Sequence, residues 1–561
     1  MSDQFPPDRP QPRRPQQGRP QQGRPQQDRP QQDRPQQDRP QQDRPQQDQQ
    51  DPRPTGIRNV DPLFPQDTLL QEHGGRLLDP VTAVRRPDDD RRLRPTVYVG
   101  NSMLVPAELA DRLDAPLRNA AEQFRLRPRL DERDQRRARL LASGDNGTPY
   151  AVRAWLHPIS APVDADAWPV LQAMRAATPP ERLADLTRVG LNHLLGGGWP
   201  SMQGTPVLPG DGRAPAGPII EYGQPGRGGR APVTYVGAPP HRTRPRTRRP
   251  VVAVLDTGAG THPWFNGVVR TDVDLDGEPA GLPPSVPDPE IRGDISGPLD
   301  GVLDTHSGHG TFICGLIHQL CPDADLLAIR VMHSDGIVEE AELNWALAVL
   351  DTRLARLQAG QAKDGHLDVV VLSLGYYHES PLLPEDDSVL RSLLASLGRR
   401  GVIVVAAAGN DATLRPFYPA AFTPHDGGMV DRVCEDEVPL LSVGSLNPDA
   451  SVALFSNSGD WVTAWDAGAA LVSTFPKTFN GGAAASVQTA DPSGLPRRTI
   501  DPDNYRNGFG TWSGTSFAAP VLAGRLAQDL LDTGGLNDME PAAAVRRARS
   551  VIAARDEIEL P

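Results

Sequence analysis

Short apolar runs recur along the second half of the chain, and segments with helical spacing separate them. Beginning at Val251, the runs read VVAVL, LLAIRV, DVVVLSL, GVIVVAAA and PLLSVGSL. One separating segment, EEAELNWALAVLDTRLARL, has apolar residues at the helical period. Strands that are apolar throughout are typical of a parallel sheet covered by helices on both faces. The pattern predicts a three-layer α/β/α domain over residues 250–558, with its ligand site at the carboxyl ends of the strands.

Residues 56–245 have a more mixed pattern. The stretches TVYVGNSMLV and PYAVRAWL resemble strands, whereas PAELADRLDAPLRNAAEQFRL and PERLADLTRVGLNHLL have helical spacing after a proline. We expect a small α+β accessory domain that ends in a loop rich in glycine and proline. The basic run HRTRPRTRRP at 241–250 fits either a processing site at Arg246, Arg248 and Arg249 or a solvated linker, and the linker is favoured.

Residues 1–55 consist largely of the repeated unit Arg-Pro-Gln-Gln-Asp. The repeat has a proline in every unit and no apolar side chain to bury, so it predicts a disordered, extended tail with polyproline character. Its function is either that of a spacer, which is favoured, or that of a docking arm for an unknown partner.

Composition narrows the functional classes. The 561 residues carry a formal net charge of -13, which argues against nucleic-acid binding because no excess of basic side chains is available for phosphates. No apolar run of about 18 residues occurs, and the N-terminus lacks the apolar core of a secretory signal. We expect a soluble, cytoplasmic protein with no membrane association. Three cysteines, Cys314, Cys321 and Cys434, form no disulfide framework.

Four polar residues stand where strands end or helices begin. Asp256 ends the first apolar run and Asn410 follows another, while His309 and Ser516 each open an apolar helix among small residues. Individually each has an ordinary structural interpretation, as a turn residue or a helix cap. Together they offer an acid, a base, an amide donor and a hydroxyl at one edge of the predicted sheet.

The motifs around these residues resemble those of the subtilisin-like serine proteases, the subtilases. They are DTG at Asp256, HGT at His309, AAGN at Asn410 and GTSFAAP at Ser516, in the order that the family uses. The resemblance covers roughly residue 251 to the C-terminus. It implies the subtilisin-like three-layer fold and a serine endopeptidase that hydrolyses protein or peptide substrates.

The resemblance also implies a role for each matching residue. Asp256, His309 and Ser516 would form the catalytic triad, and Asn410 would contribute to the oxyanion hole. Further residues would line the substrate cleft: Ser373, Leu374, Gly375, Ala408 and Gly409. Two alternatives are a degenerate scaffold that acts as a protein-binding module, and a latent enzyme whose cleft is blocked by region 56–245.

Two insertions separate the motifs, and we expect both to form loops at the rim of the cleft. The first contains Asp272, Asp274, Asp276 and Gly277, which imitate the start of a calcium loop, but the closing glutamate is missing. We therefore expect no cofactor, and a structural calcium ion is unsupported. Cys314 should be buried beneath the site as core packing.

Overall fold

The structure is a computed structural model. It describes residues 62, 64–65, 67–85, 92–143, 147–160, 163–179, 183–197, 222, 228–380, 388–424 and 434–556. The repeat tail predicted over residues 1–55 lies outside these residues, so its spacer or docking role stays a prediction.

The first part of the described chain alternates short helices and strands. Its elements are α1 (Asp67–Glu72), β1 (Gly75–Leu78), β2 (Thr96–Pro106), α2 (Ala110–Glu122), β3 (Leu126–Leu130), α3 (Glu132–Ala142), β4 (Ala151–Pro158), α4 (Ala167–Ala177), α5 (Leu183–Thr187) and β5 (Gly190–Gly196). The predicted strands TVYVGNSMLV and PYAVRAWL are β2 and β4. The predicted mixture of helices and strands is thus present.

The second part contains longer helices. Its elements are β6 (Ala231–Pro232), β7 (Val251–Asp256), β8 (Val269–Arg270), β9 (Asp274–Leu275), β10 (Glu278–Pro279), α6 (His309–Leu320), β11 (Asp325–Arg330), β12 (Ile337–Glu339), α7 (Glu340–Gln358), β13 (Val369–Leu372), α8 (Val389–Arg399), β14 (Ile403–Ala407), β15 (Leu441–Leu446), β16 (Ala464–Ala467), β17 (Leu471–Thr474), β18 (Gln488–Ala490), β19 (Pro496–Arg498), β20 (Phe509–Trp512), α9 (Thr515–Thr533) and α10 (Pro541–Asp556). Each of the five apolar runs forms a strand.

A seven-stranded sheet in the order β16-β15-β14-β13-β7-β11-β8 forms the centre of this part, and every pairing is parallel. Successive side chains of each strand lie on opposite faces of the sheet and pack in different hydrophobic cores. In β7, Val252 and Val254 pack with α6 and α9, while Ala253 and Leu255 pack with α7 and α8. The predicted parallel sheet with helices on both faces is confirmed.

An antiparallel sheet in the order β12-β5-β2-β4-β3, with β1 also on β2, lies in the region predicted as the accessory domain. Its strand β12 comes from the second part of the chain. Helices α2 and α4 pack in the core on one face of this sheet. Helix α7 lies against the other face, so residues 340–352 are buried between the two sheets.

The helical interpretation of PERLADLTRVGLNHLL is wrong for its second half. Within the described residues, helix α5 ends at Thr187, and Gly190–Gly196 forms strand β5. This strand is buried on both faces from Leu191 onward, because α4 covers one face and α7 covers the other. A strand buried on both faces lacks the alternation that distinguishes it from a helix.

The run 241–250, for which a solvated linker is favoured, is held by ion pairs at its end, and its role as a linker stays a prediction. Arg248 forms two hydrogen bonds with the carboxylate of Asp368, at 2.6 and 2.8 Å, and Arg249 pairs with Asp323. Asp368 also accepts a hydrogen bond from the backbone of Val251, the first residue of β7. Ion pairs therefore fix this run to the edge of the central sheet where the strands begin.

The segment just before this run is attached to the opposite edge of the sheet. Arg230 donates hydrogen bonds to the backbone carbonyls of Leu303 and Asp304, and its guanidinium lies over the ring of Trp512 at 5.2 Å. The two residues that follow form β6, which pairs with β20. Residues 228–250 are therefore bound along the three-layer part, and the domain boundary at 245–250 stays a prediction.

A buried ion-pair network joins the accessory sheet to α7. Arg153 of β4 contacts Asp134 at 2.8 Å and Glu342 of α7 at 2.8 Å, and Arg137 of α3 contacts Glu342 at 3.1 Å. All four side chains are less than 10% exposed. Since isolated buried charges are very unfavourable, these groups depend on one another.

We expect Glu342→Gln to lower the free energy of unfolding by about 3–5 kcal/mol, because two buried guanidinium groups lose a charged partner. Urea unfolding followed by tryptophan fluorescence measures the change. Glu132→Gln, on the exposed side of α3, is the matched control. Equal losses in the two variants would contradict the importance of the network.

Candidate active site

Polar groups from five elements meet at the carboxyl edge of the central sheet. Asp256 ends β7, Ser373 follows β13, and Asn410 lies beyond the end of β14. His309 is the first residue of α6, and Ser516 lies in the first turn of α9. This is the edge at which parallel sheets bind their ligands.

Asp256 and His309 form a buried hydrogen-bonded pair. The Oδ1 atom of Asp256 lies 2.8 Å from Nδ1 of His309, and the same oxygen accepts a hydrogen bond from the backbone of Thr257 at 2.8 Å. Gly308 precedes the helix at a φ of 86°, a conformation that glycine adopts without strain. With Nδ1 donating to the carboxylate, Nε2 is the basic nitrogen of His309.

The Ser516 hydroxyl lies at the end of the accessory strand β5. Its Oγ atom donates to the backbone oxygen of Gly197 at 3.0 Å, and it lies 3.5 Å from the backbone oxygen of Ser373. The hydroxyl of Ser373 in turn donates to the backbone oxygen of Ser516 at 2.7 Å. The start of α9 is thereby tied to the end of β13.

Thr515 fixes the orientation of the Asn410 side chain. The backbone N–H and the hydroxyl of Thr515 both donate to Oδ1 of Asn410, at 2.8 and 2.9 Å. These two bonds identify Oδ1 as the acceptor end of the amide and leave the Asn410 NH2 group as its donor end. Gly409 has a φ of 97°, and a Cβ atom there would lie 2.4 Å from Nδ2 of Asn457, so only glycine fits.

The backbone of Gly375 pairs with the accessory domain. Its N–H and carbonyl exchange two hydrogen bonds with Gly196, of 3.0 and 2.8 Å, in an antiparallel bridge. Leu374 beside it is buried in the core. Ala408 instead accepts from Asn457 and donates to Val443, and these bonds hold the neighbouring segment in place.

Gly197 occupies a space without room for a side chain. A Cβ atom on it would lie 2.9 Å from Cε of Met332 and 3.0 Å from Nε2 of His306. His306 is fully buried, and burial lowers its pKa to about 3, so its ring is neutral at ordinary pH. Its Nε2 atom thus lies beside Gly197 rather than beside Asp256.

Glu290 lies behind the aspartate–histidine pair. The hydroxyls of Thr257 and Thr311 donate to its carboxylate at 2.5 and 2.6 Å, and Thr257 also accepts from the backbone N–H of Gly310 at 2.7 Å. Burial raises the pKa of Glu290 to about 7, against the lowering effect of the two threonines. Glu290 belongs to the first insertion, and its hydrogen bonds connect that insertion to Thr257, next to Asp256, and to Thr311, two residues after His309.

Comparison with known proteins identifies the family of the three-layer part. A sequence model described as the subtilase family matches residues 247–546. The chain belongs to the subtilase family. Subtilases are subtilisin-like serine proteases, and the predicted family and enzyme class are confirmed.

Individual relatives match over about half of the chain. An intracellular serine protease of Paenibacillus polymyxa is 27% identical over 310 residues, which are 53% of this chain and 71% of that protein. Subtilisin BL of Lederbergia lenta is 28% identical over 46% of this chain and 84% of its own length. The major intracellular serine protease of Bacillus subtilis is 24% identical over 49% and 66%, respectively.

The three-layer part is therefore subtilase-like in sequence. Several residues that contact the site could not be recognised from the sequence motifs. Thr515, Glu290 and Gly197 were not singled out, although Gly197 belongs to the conspicuous triglycine at 196–198.

Among the described residues, no helix has the length and apolar character needed to cross a membrane.

The carboxylates of the calcium-like sequence have other partners. Both oxygens of Asp276 accept hydrogen bonds from Arg356 at 2.9 Å, and Asp274 caps the turn at the backbone of Gly277 at 2.9 Å. Asp272 is exposed. These contacts account for the loop in structural terms, and the absence of a calcium ion there stays a prediction.

Glu290 generates a pH-dependent prediction. Its pKa in the folded state, about 7, lies above the ordinary value of 4.5, so the folded state binds more protons between these two values. Its contribution to stability is complete below pH 4.5 and is lost as the pH rises through 7. Relative to Glu290→Gln, we expect wild type to lose on the order of 3 kcal/mol between pH 5 and pH 8.

Chemical unfolding of the Ser516→Ala chain, with and without Glu290→Gln, measures this difference at both pH values. Glu435→Gln, at an exposed glutamate, should leave the pH profile unchanged. Parallel profiles for Glu290→Gln and wild type would show that Glu290 does not hold a proton in the folded state.

Proposed function

We propose that this chain is a serine endopeptidase that hydrolyses protein or peptide substrates with Asp256, His309 and Ser516. The observation that carries the proposal is the 2.8 Å bond between Asp256 and His309, at the edge of the sheet where α9 presents Ser516. The family membership supports the reaction class. The net charge of -13 agrees with a protein rather than a nucleic-acid substrate.

In the proposed mechanism, Nε2 of His309 takes the proton of the Ser516 hydroxyl as Oγ attacks the substrate carbonyl carbon. Asp256 keeps the proton of the imidazole on Nδ1 and stabilises the imidazolium that forms. The same proton then goes to the leaving amine, which gives an acyl-enzyme. Water, activated by His309, attacks the ester and releases the carboxylic acid.

The developing oxyanion would accept hydrogen bonds from the amide NH2 of Asn410 and from the backbone N–H of Ser516. The two bonds from Thr515 to Oδ1 support this role, because they hold the amide in the orientation that it needs before the reaction begins. Removal of a donor of this kind costs about 10²–10³-fold in kcat. Ser373, Leu374 and Gly375, with Ala408 and Gly409 opposite, would line the substrate backbone.

We further infer that the full chain is latent, because its own backbone lies where a substrate would lie. Gly196 pairs with Gly375 as an added antiparallel strand, and the next carbonyl, of Gly197, accepts the Ser516 hydrogen bond. The Ser516 hydroxyl is therefore engaged by the accessory domain. This arrangement favours latency over the degenerate scaffold, and it makes the triglycine at 196–198 the first candidate for cleavage.

Labelling with a fluorophosphonate, read by intact mass, tests both parts of the proposal. We expect one adduct on wild type and none on Ser516→Ala or His309→Ala. Uncut chain should react at least about tenfold more slowly than chain cut at the triglycine, since only the fraction with an open cleft is competent.

Fast, complete labelling of the uncut chain would contradict latency. Absence of an adduct on both the cut and the uncut chain would contradict the endopeptidase and favour the protein-binding scaffold. N-terminal sequencing of any new fragment shows whether the cut lies at the triglycine.

Gly197→Val should open the cleft. The added side chain would meet Met332 and His306, and overpacking of this kind costs about 1–3 kcal/mol, so we expect labelling of the uncut chain to accelerate about tenfold. Gly190→Val is the matched control at the other end of the same strand, because a Cβ atom there meets nothing within 4 Å. Equal acceleration by both variants would argue against a specific role of Gly197.

A further inference from the structure

Three side chains with metal-binding atoms meet beside the strand that enters the cleft. His193 belongs to β5, whereas His378 and Glu379 lie in the segment after Gly375. One ligand atom from each lies within 4.8 Å of the others. His193 and Glu379 are buried, and His378 is partly buried. The cluster therefore joins the accessory domain to the edge of the cleft.

The distances suit a tetrahedral ion. Nε2 of His193 lies 3.0 Å from Oε2 of Glu379, and Nε2 of His378 lies 3.5 Å from the same oxygen. Ligand atoms that bind zinc tetrahedrally at 2.0–2.1 Å are about 3.4 Å apart. Small movements of these side chains would therefore produce the required geometry.

The second nitrogen of each imidazole is also hydrogen-bonded. Nδ1 of His193 lies 2.7 Å from a carboxylate oxygen of Glu340, which holds that nitrogen protonated and directs Nε2 to the metal. Nδ1 of His378 contacts both the backbone oxygen of Ser380, at 2.9 Å, and the backbone N–H of Ser380, at 3.2 Å. The Nε2 atoms of both histidines face the same oxygen of Glu379.

A small cavity borders the cluster. It has a volume of about 50 Å³, and its lining includes all three side chains together with Glu340 and Tyr376. A water molecule needs about 10–15 Å³ measured in this way, so a fourth ligand has room.

We propose that His193, His378 and Glu379 bind a divalent transition-metal ion of the zinc class, with water as the fourth ligand. Two imidazole nitrogens and one carboxylate oxygen favour such an ion over calcium or magnesium. The ion would fasten β5 to the cleft edge three residues before Gly196. This consequence rests on the proposed latency, whereas metal binding itself does not.

Metal binding is tested on the full-length Ser516→Ala chain, which cannot cut itself, after chelator treatment and without an affinity tag. We expect one equivalent of zinc by equilibrium dialysis, and a tetrahedral absorption spectrum with cobalt(II). His378→Ala should weaken zinc binding at least about tenfold. His157→Ala, which removes an exposed imidazole from β4, should bind like the parent chain.

The partly buried His378 is the residue to change, because replacing the enclosed His193 would leave Glu340 and Glu379 facing each other. Circular dichroism confirms that each variant is folded. Zinc binding that is absent, or equal in the parent and His378→Ala chains, overturns the site.

The fastening role is tested on the uncut wild-type chain. We expect saturating zinc to slow fluorophosphonate labelling at least about tenfold, since the ion binds only the docked strand, and to leave the rate of His378→Ala unchanged. Equal rates with and without bound zinc overturn the fastening role. Failure of the proposed catalytic function has a different signature, because no variant would then be labelled although zinc would still bind.

Discussion

The two hydrogen bonds between Gly196 and Gly375 are the constraint on which the rest of this structure depends. They join the end of the antiparallel sheet to the carboxyl end of strand β13 in the parallel sheet, and they bring the backbone of Gly197 to the Ser516 hydroxyl. Backbone pairing carries no side-chain specificity by itself. The register must therefore come from the surrounding contacts.

Buried charges supply much of that register. Arg153 and Arg137 pair with Glu342 of α7, and His193, the central residue of β5, lies between Glu340 and Glu379. Burial alone would lower the pKa of His193, but the two carboxylates raise it to about 9, so a zinc ion at Nε2 would have to displace a proton. A shift by one residue would leave such groups without partners, so the network penalises every wrong alignment.

The three-layer part could be predicted from the sequence because its signals are local. Strands such as β7 are apolar throughout, and the residues at their ends belong to short motifs. Strand β5 could not be predicted, because α7, more than a hundred residues away, buries one of its faces. Glu290 was missed for the same reason: only the folded chain brings it to Thr257 and Thr311.

Arg230 and β6 give the triglycine a further importance. The chain is bound to the subtilase-like part on both sides of this point, through β5 before it and through Arg230 and β6 after it. A cut at the triglycine would therefore leave the N-terminal piece held only by non-covalent contacts, such as the pairing of β5 with β12. It would turn an intramolecular contact into a complex of two separate chains, whose dissociation depends on concentration. Dilution of the cut protein would then favour dissociation and activity, and a high concentration of the cut protein would favour the inactive complex.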